Sequence, residues 1–296
     1  MRRAFGVLLA FSIVCTAQDE KKRESHWLDP DKSEPAGTKY ASFSSKLAGS
    51  EVSYLLYLPP DYATTTSRRY PVVYWLHGLG GTQRTGAKFV APLAAAIRAG
   101  NAPAMIVVLV NGMRDSLYCD SPDGKYPVES VIVKELIPHV DGAYRTIARR
   151  EMRGVEGFSM GGFGAPHLGF KYPQVFGAVG GMAGVFEDVE SIVLPRMTEV
   201  FQRMFGASTE RARAANPGVL LEKNIEAIRG KTFIRVSVGD QDPGLERSRK
   251  AHALLERLHV PHDFDVVPGV AHNPEKLYET MGSRAFAFYQ KAFAGK

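Results

Sequence analysis

A hydroxyl set between glycines, a carboxylate further along and a histidine near the C-terminus are the parts of a nucleophilic mechanism, and this chain carries them in that order. Ser159 lies in Gly157-Phe158-Ser159-Met160-Gly161-Gly162. A strand-to-helix turn sharp enough to expose a serine Oγ leaves no space for side chains two residues before and after it, which is the reason for glycine at 157 and 161. An alcohol at its free pKa is a weak nucleophile and needs a base beside it. Downstream, Gly239-Asp240-Gln241-Asp242-Pro243-Gly244 offers two carboxylates, and Pro268-Gly269-Val270-Ala271-His272-Asn273 offers an imidazole. His272 is the expected base, because only it follows both the acid loop and the last strand. Asp242 is the favoured acid, since the turn carries the last Asp back toward the histidine. Asp240 is the alternative, and either could instead be the N-cap of the helix that follows.

Acyl transfer also needs donors aimed at the negative oxygen of a tetrahedral intermediate. His77-Gly78-Leu79-Gly80-Gly81 can point the Leu79 N–H inward, and Met160, the residue after the serine, supplies the second amide. This is not a phosphate loop: Thr82-Gln83-Arg84 lacks the G-K-[ST] ending, and Gly230-Lys231-Thr232 has Ile225 where a P-loop needs glycine. Of the other histidines, His77 lies in the Gly loop, His139 and His252 in helical patterns and His26 in the N-terminal lead-in. His259 and His262 have an H-x-x-H spacing but flank Pro261 with no cysteine or acidic ligand pattern, and read as a solvated connection. With no H-E-x-x-H, neither a catalytic metal nor a cofactor is expected.

These loops must be positioned by a sheet. Two alternating stretches, 40–46 and 52–58, read as an antiparallel hairpin around Ala48-Gly49-Ser50. From Tyr70 on, short runs rich in Val and Ile (71–76, 104–110, 154–158, 176–180, 232–238 and 263–267) alternate with stretches of helical period (86–99, 128–147, 160–171, 187–205, 244–258 and 274–293). That grammar predicts an α/β domain with a mostly parallel sheet covered on both faces. The ligand edge of such a sheet is the C-terminal one, where Ser159, the two Asp residues and His272 all fall. The segment Glu187 to Arg229 is longer than an ordinary crossover and predicts extra helices capping one end of the sheet.

Composition agrees. The chain has 296 residues, 45% apolar and 23% charged, near the globular averages of ~45–50% and ~25%, which excludes disordered, collagen-like and multi-span membrane classes. Met1-Arg2-Arg3, an apolar run to Ala17 and an abrupt polar turn at Gln18-Asp19-Glu20 read as a secretory signal peptide, 1–17, too short to span a membrane by itself. Residues 18–37 are charged and lack apolar periodicity, which predicts a flexible lead-in to a catalytic domain at 38–296. Without the signal, Lys and Arg fall from 37 to 35 against 31 acids, a net +4, and Cys119 is the one cysteine left. No intramolecular disulfide can then form, which fits a bacterial periplasm or medium. The mild, scattered positive charge is no nucleic-acid footprint, and no stable membrane insertion is expected once the signal is removed.

Tyr57-Leu58-Pro59-Pro60, Tyr74-Trp75-Leu76-His77-Gly78-Leu79-Gly80-Gly81, Lys134-Glu135-Leu136-Ile137-Pro138 and Gly157-Phe158-Ser159-Met160-Gly161-Gly162, taken together over about residues 40–293, resemble the esterase D-type putative esterases. That group includes feruloyl and acetyl xylan esterases, S-formylglutathione hydrolases and mycobacterial mycolyltransferases. The resemblance implies an α/β-hydrolase fold with a short helical cap insertion and a triad of Ser159, Asp242 and His272. It further implies an exported serine carboxylesterase acting on a small-molecule or polysaccharide ester, with acyl or feruloyl groups of plant polysaccharide as the nearest substrates. An acyltransferase using the same acyl-enzyme and a thioester hydrolase of the S-formylglutathione type are the alternatives. Cytosolic S-formylglutathione hydrolases carry no export signal, and Asp120-Ser121-Pro122-Asp123-Gly124 matches their Pro-containing loop only faintly. Substrate selection is expected in the loop 111–127, where Arg114, Asp115, Tyr118 and Asp120 are the candidates, and in the cap segment. Glu129, at the start of the next helix, suits the helix N-terminus through its dipole.

Overall fold

Val72–Leu76 and Ile106–Val110 contain no polar alternation, the mark of strands buried on both faces, and every one of their residues is buried in the computed structural model. The structure describes residues 26–184, 186 and 197–294. The expected signal peptide, 1–17, the first part of the lead-in and the stretch 187–196 of the cap segment lie outside the described residues.

The strands are β1 (Lys39–Ser45), β2 (Ser50–Tyr57), β3 (Val72–Leu76), β4 (Ile106–Val110), β5 (Arg153–Phe158), β6 (Ala178–Met182), β7 (Phe233–Gly239) and β8 (Asp263–Val267). They form one open eight-stranded sheet in the order β1-β2-β4-β3-β5-β6-β7-β8. The hairpin β1–β2 is antiparallel, as is β2 against β4, and every later pairing is parallel. The helices are α1 (Ala87–Arg98), α2 (Val128–Val131, continuing through a π-helical turn at Ile132–Leu136 into Ile137–Ala143), α3 (Met160–Lys171), α4 (Thr198–Phe205), α5 (Thr209–Ala214), α6 (Pro217–Lys223), α7 (Ile225–Ile228), α8 (Leu245–Arg257), α9 (Pro274–Met281) and α10 (Arg284–Phe293). No helix among the described residues is long and apolar enough to cross a membrane.

Alternate side chains of each inner strand go to opposite layers. Val73 and Trp75 pack with Phe89 and Leu93 of α1 and with Phe286 and Tyr289 of α10. Val72, Tyr74 and Leu76 pack with Ile132 and Leu136 of α2 and Phe163 and Leu168 of α3. The helices of the cap segment, α4 to α7, continue that second layer, and Asn224 at the end of α6 donates to the Phe170 carbonyl of α3 at 2.8 Å.

Three elements differ from the sequence reading. The helix expected over 274–293 is two, because Gly282 (φ 56°, ψ −131°) adopts a conformation that is strained for any residue with a Cβ and ends α9. The helix expected over 128–147 stops at Ala143 and is widened in its middle: Pro138 has no N–H to give and crowds the preceding turn, so Ile137 N–H bonds back to the Ile132 carbonyl instead. Glu135, on the widened turn, accepts from Ser45 Oγ, Lys46 N and Leu47 N and so anchors the tip of the β1–β2 hairpin. Finally, residues 26–37 are tied down where a flexible lead-in was expected. Ser53 N donates to the Trp27 carbonyl at 2.8 Å, Asp29 N to Ser53 Oγ at 2.9 Å, and Asp31 pairs with Arg84 at 3.2 Å. Order supplied by hydrogen bonds and an ion pair leaves no apolar period to read.

Candidate active site

β5 runs straight into Ser159, and α3 begins at the next residue. Ser159 sits at φ 58°, ψ −113°, a region that costs a non-glycine residue on the order of 1–3 kcal/mol and persists only where the surroundings impose it. The surroundings are its own amide, which donates to the Met182 carbonyl of β6 at 2.8 Å, and its carbonyl, which accepts from Phe163 N at 3.0 Å. A Cβ at Gly157 would stand 2.4 Å from the Gly161 oxygen, and one at Gly161 would stand 2.1 Å from the Leu76 oxygen. The serine is therefore lifted out of the turn by backbone packed against backbone on both sides.

The loops after β7 and β8 meet that turn. Asp242 Oδ2 lies 2.8 Å from His272 Nδ1, and His272 Nε2 lies 2.9 Å from Ser159 Oγ. Asp242 is buried, and its other oxygen accepts from Gly244 N at 2.6 Å. A carboxylate on Nδ1 fixes the proton there and leaves the Nε2 lone pair facing the serine hydroxyl. Asp240 is separate: exposed, it accepts from Gly269 N at 2.7 Å and pins the turn that leads to His272. The Phe158 ring, 4.6 Å from the imidazole between centroids, supports it from below. Nothing in the residue types marked Phe158 for that task; its position before the serine was the available signal.

The Gly loop after β3 closes the other side. A Cβ at Gly78 would stand 3.3 Å from Ser159 Cβ, which sets the Gly78 backbone against the serine; Leu79 is the next residue of that loop, and Met160 occupies the first position of α3. Leu79 exposes its side chain, whereas Met160 is buried. His77 shapes this loop: Nδ1–H donates to the Gly78 carbonyl at 2.9 Å, and burial lowers its pKa to about 4, so the ring is neutral.

The four candidates of the 111–127 loop divide. Arg114 donates to the Gly80 carbonyl, and its own carbonyl accepts from Gly80 N, which couples the loop to the Gly turn beside Ser159. Asp115 pairs with Arg203 of α4 at 2.6 Å and links the loop to the cap helices. Tyr118 and Asp120 do not face the substrate side. Tyr118 is fully buried with its hydroxyl donating to the His77 carbonyl at 2.9 Å, its ring filling the space left by Gly112 and Gly164. Asp120 accepts from Ser130 N at 2.9 Å and Ser130 Oγ at 2.6 Å, fastening the loop to the first turn of α2. Met113, Leu117 and Tyr118 all have positive φ, and such clustered strain marks a loop whose shape is imposed by its contacts.

A second carboxylate–imidazole pair joins α2 to α3. Glu129 of α2 and His167 of α3 approach to 2.7 Å with both side chains buried, and His167 Nδ1 donates to the Ala215 carbonyl at 2.8 Å. Lys171 and Tyr172 also donate to Glu129, and Cys119 Sγ lies 3.7 Å from His167 Nε2. Burial alone would raise the Glu129 pKa, but the donors around it hold it at about 2. Burial alone would strip His167 of its second proton, yet the Cys119 sulfur and the Glu129 carboxylate carry its pKa up to about 10. Glu129 thus balances a buried cation, a larger role than the helix-dipole reading gave it.

An open, mostly parallel sheet with a serine raised on a strand-to-helix turn, and an imidazole and a carboxylate delivered by the loops after the last two strands, defines the α/β-hydrolase class. The chain belongs to the family described as "Putative esterase", whose model matches residues 44–291. It is 27% identical over 256 residues to an esterase of Mycobacterium tuberculosis, a match covering 78% of this chain and 54% of that protein. It is 30% identical over 152 residues to an endo-1,4-beta-xylanase/feruloyl esterase of Xylanibacter ruminicola, covering 48% of this chain and 21% of that protein. The chain thus spans about half the length, or less, of these curated relatives. Among solved structures, a ferulic acid esterase superposes with a TM-score of 0.74 at 23% identity, covering 86% of this chain and 98% of that one.

Proposed function

We propose that this protein is an exported serine esterase that cleaves acyl or feruloyl groups from plant polysaccharide through an acyl-enzyme on Ser159. The observation that carries the reading is the unbroken hydrogen-bonded line from Asp242 through His272 to Ser159 Oγ, at 2.8 and 2.9 Å. In the first half-reaction Ser159 Oγ attacks the ester carbonyl carbon as its proton passes to His272 Nε2. Asp242 stabilises the imidazolium that results, and the amides of Leu79 and Met160 donate to the oxygen that becomes negative. Collapse of the tetrahedral adduct breaks the bond to the alcohol, which leaves with the proton returned by His272. Water, deprotonated by the same nitrogen, then attacks the acyl-enzyme, and the acid is released.

The feruloyl assignment is supported by the names of the relatives, and export by the pattern of residues 1–17. Purified protein assayed on acetyl, butyryl and feruloyl esters should give steady hydrolysis, with the feruloyl ester of an arabinoxylan fragment among the best substrates. Diversion of the acyl group to added alcohols in preference to water would make it an acyltransferase, and turnover confined to thioesters would exclude the polysaccharide substrate. Export is tested by intact mass, which should show residues 1–17 removed from protein recovered outside the cytoplasm.

A further inference from the structure

The H-x-x-H spacing of His259 and His262 directs attention to the right turn but the wrong pair. His259 is exposed, at φ 52°. The His262 side chain, 1% exposed, folds back onto α8, where it meets His252 and Glu256. These two are four residues apart on the helix and so share a face. The turn that returns His262 is closed by His259 N donating to the Glu256 carbonyl at 2.9 Å and Val260 N to the Leu255 carbonyl at 2.9 Å.

We propose that His252, Glu256 and His262 form a binding site for a divalent transition-metal ion of the zinc type, which clamps α8 to the start of the edge strand β8. The ligand atoms are already gathered. His252 Nδ1 and His262 Nε2 are 2.8 Å apart, Glu256 Oε1 is 3.9 Å from His262 Nε2, and all three donors lie within 4.8 Å of one another. Tetrahedral zinc, with bonds of about 2.0–2.1 Å, needs its nitrogens about 3.3 Å apart, so the two rings have only to part by a few tenths of an ångström.

The orientation of the rings favours a ligand. His262 Nδ1 lies 2.8 Å from the Val260 carbonyl, which can only accept. The proton therefore sits on Nδ1 and the Nε2 lone pair points at the cluster, the arrangement in which metal-bound histidines are held by an outer carbonyl. His252 is fixed by stacking on Phe264 of β8, 4.3 Å between centroids and 11° between planes. Two imidazoles and one carboxylate, with a fourth position for water, suit zinc and its neighbours and do not suit calcium or magnesium, which require oxygen donors.

Its place in the fold gives the site a structural role. Among the described residues β8 pairs only with β7 and lies at one edge of the sheet. It links the metal cluster at its N-terminal end to the His272 loop at the other, roughly 16 Å away for five residues at ~3.3 Å each. An ion there holds the strand that carries His272 without touching the reacting atoms.

The full chain, stripped with a chelator and dialysed against zinc chloride alone, should bind one zinc per chain. Its melting temperature should rise by about 5 °C when free zinc is ~100-fold above Kd. Calcium and magnesium should leave it unchanged. Binding should persist in His272→Ala, which removes the active-site imidazole as the ligand, and should weaken roughly 10–100-fold in His252→Ala and His262→Gln. Glu256→Gln, on an exposed part of the helix, keeps the fold and should weaken binding in the same direction, so it decides the matter if a histidine variant fails to fold. Absence of stoichiometric zinc, or affinity unchanged in His252→Ala and Glu256→Gln, would overturn the proposal and leave a plain imidazole–imidazole hydrogen bond.

Discussion

His272 and His167 are each held by a carboxylate at nearly the same distance, 2.8 Å to Asp242 and 2.7 Å to Glu129, yet only one of them is arranged to move a proton. The difference lies at the second nitrogen. That of His272 faces a hydroxyl, Ser159 Oγ, which can give a proton to it. That of His167 faces the Ala215 carbonyl, which can only receive a hydrogen bond. With acceptors on both sides, His167 must carry two protons, and the Glu129 charge beside it makes that state stable in the interior. His272 is 38% exposed in its side chain, where His167 is 1% exposed. A carboxylate–imidazole contact is therefore no sign of catalysis by itself. The sign is a free lone pair aimed at a donor at the edge where substrates arrive.

The widest gap between the two pairs should appear in turnover. Ser159→Ala and His272→Ala should each lower kcat by up to about 10⁶, the loss seen when one member of a cooperating set is removed, with circular dichroism and melting temperature close to those of the parent. Normal esterase activity in folded Ser159→Ala would move the nucleophile elsewhere. Asp242→Asn should cost about 10⁴ in kcat, because the amide no longer fixes the proton on Nδ1. Asp240→Asn, whose carboxylate accepts from the Gly269 amide and lies apart from the imidazole, should cost far less, and the reverse ranking in steady-state kinetics would exchange the two roles.

For the buried pair the expected loss is in stability. Glu129→Gln leaves His167 as an uncompensated buried cation, and removal of one partner from such a pair costs about 3–5 kcal/mol. Urea unfolding should show that loss, while kcat per folded molecule stays near the parent value. The pair also sets a pH window. Glu129 has its folded pKa depressed to about 2 from 4.5, so its contribution is complete above 4.5 and disappears as pH falls through about 2. His167 has its folded pKa raised to about 10 from 6.5, so its contribution is complete below 6.5 and disappears as pH rises through about 10. The stabilisation is thus complete between 4.5 and 6.5, and melts repeated at about pH 3, 5.5 and 9 should show both flanks flattened in Glu129→Gln. Unchanged flanks would mean that other groups carry the pH dependence.

The meeting of Ser159, Asp242 and His272 was legible because Asp242 and His272 follow short Val-containing runs ended by glycine or proline, Ser159 sits in its Gly-x-Ser-x-Gly turn at the end of another short run, and parallel strands deliver their C-terminal loops to one edge. The sheet was legible for the same reason: 263–267 is found as read, while β6 begins two residues later than the run at 176 suggested. What could not be read depends on which way a side chain turns. Tyr118 and Asp120 have the types of a ligand-binding loop, but the structure turns Tyr118 inward and ties Asp120 to Ser130. The approach of His167 to Glu129 joins positions 38 residues apart on two helices, and no spacing rule links them. His262 shows the same limit, since its partners come from the preceding helix and not from the nearer histidine.

The smallest expected effect concerns choice of substrate. Arg114 couples the 111–127 loop to the Gly turn beside Ser159, and the Asp115–Arg203 pair couples the same loop to α4. The side chains of that pair are 33% and 29% exposed, and partly solvated ion pairs contribute only about 0–1 kcal/mol. Arg203→Ala should therefore leave the melting temperature almost unchanged. Its guanidinium also lies over the Tyr126 ring, 5.5 Å from the centroid, so the substitution removes two contacts between the loop and α4 at once. If that contact shapes the leaving-group side of the site, the ratio of rates on feruloyl and acetyl esters should shift by roughly tenfold or less, the scale on which a pocket discriminates by a single apolar group. The absolute rate on the acetyl ester should hold, because Ser159, His272 and the Leu79 and Met160 amides stay where they are. An unchanged ratio across acetyl, butyryl and feruloyl esters would show that the loop's tie to the cap supports the fold alone and that selection lies elsewhere.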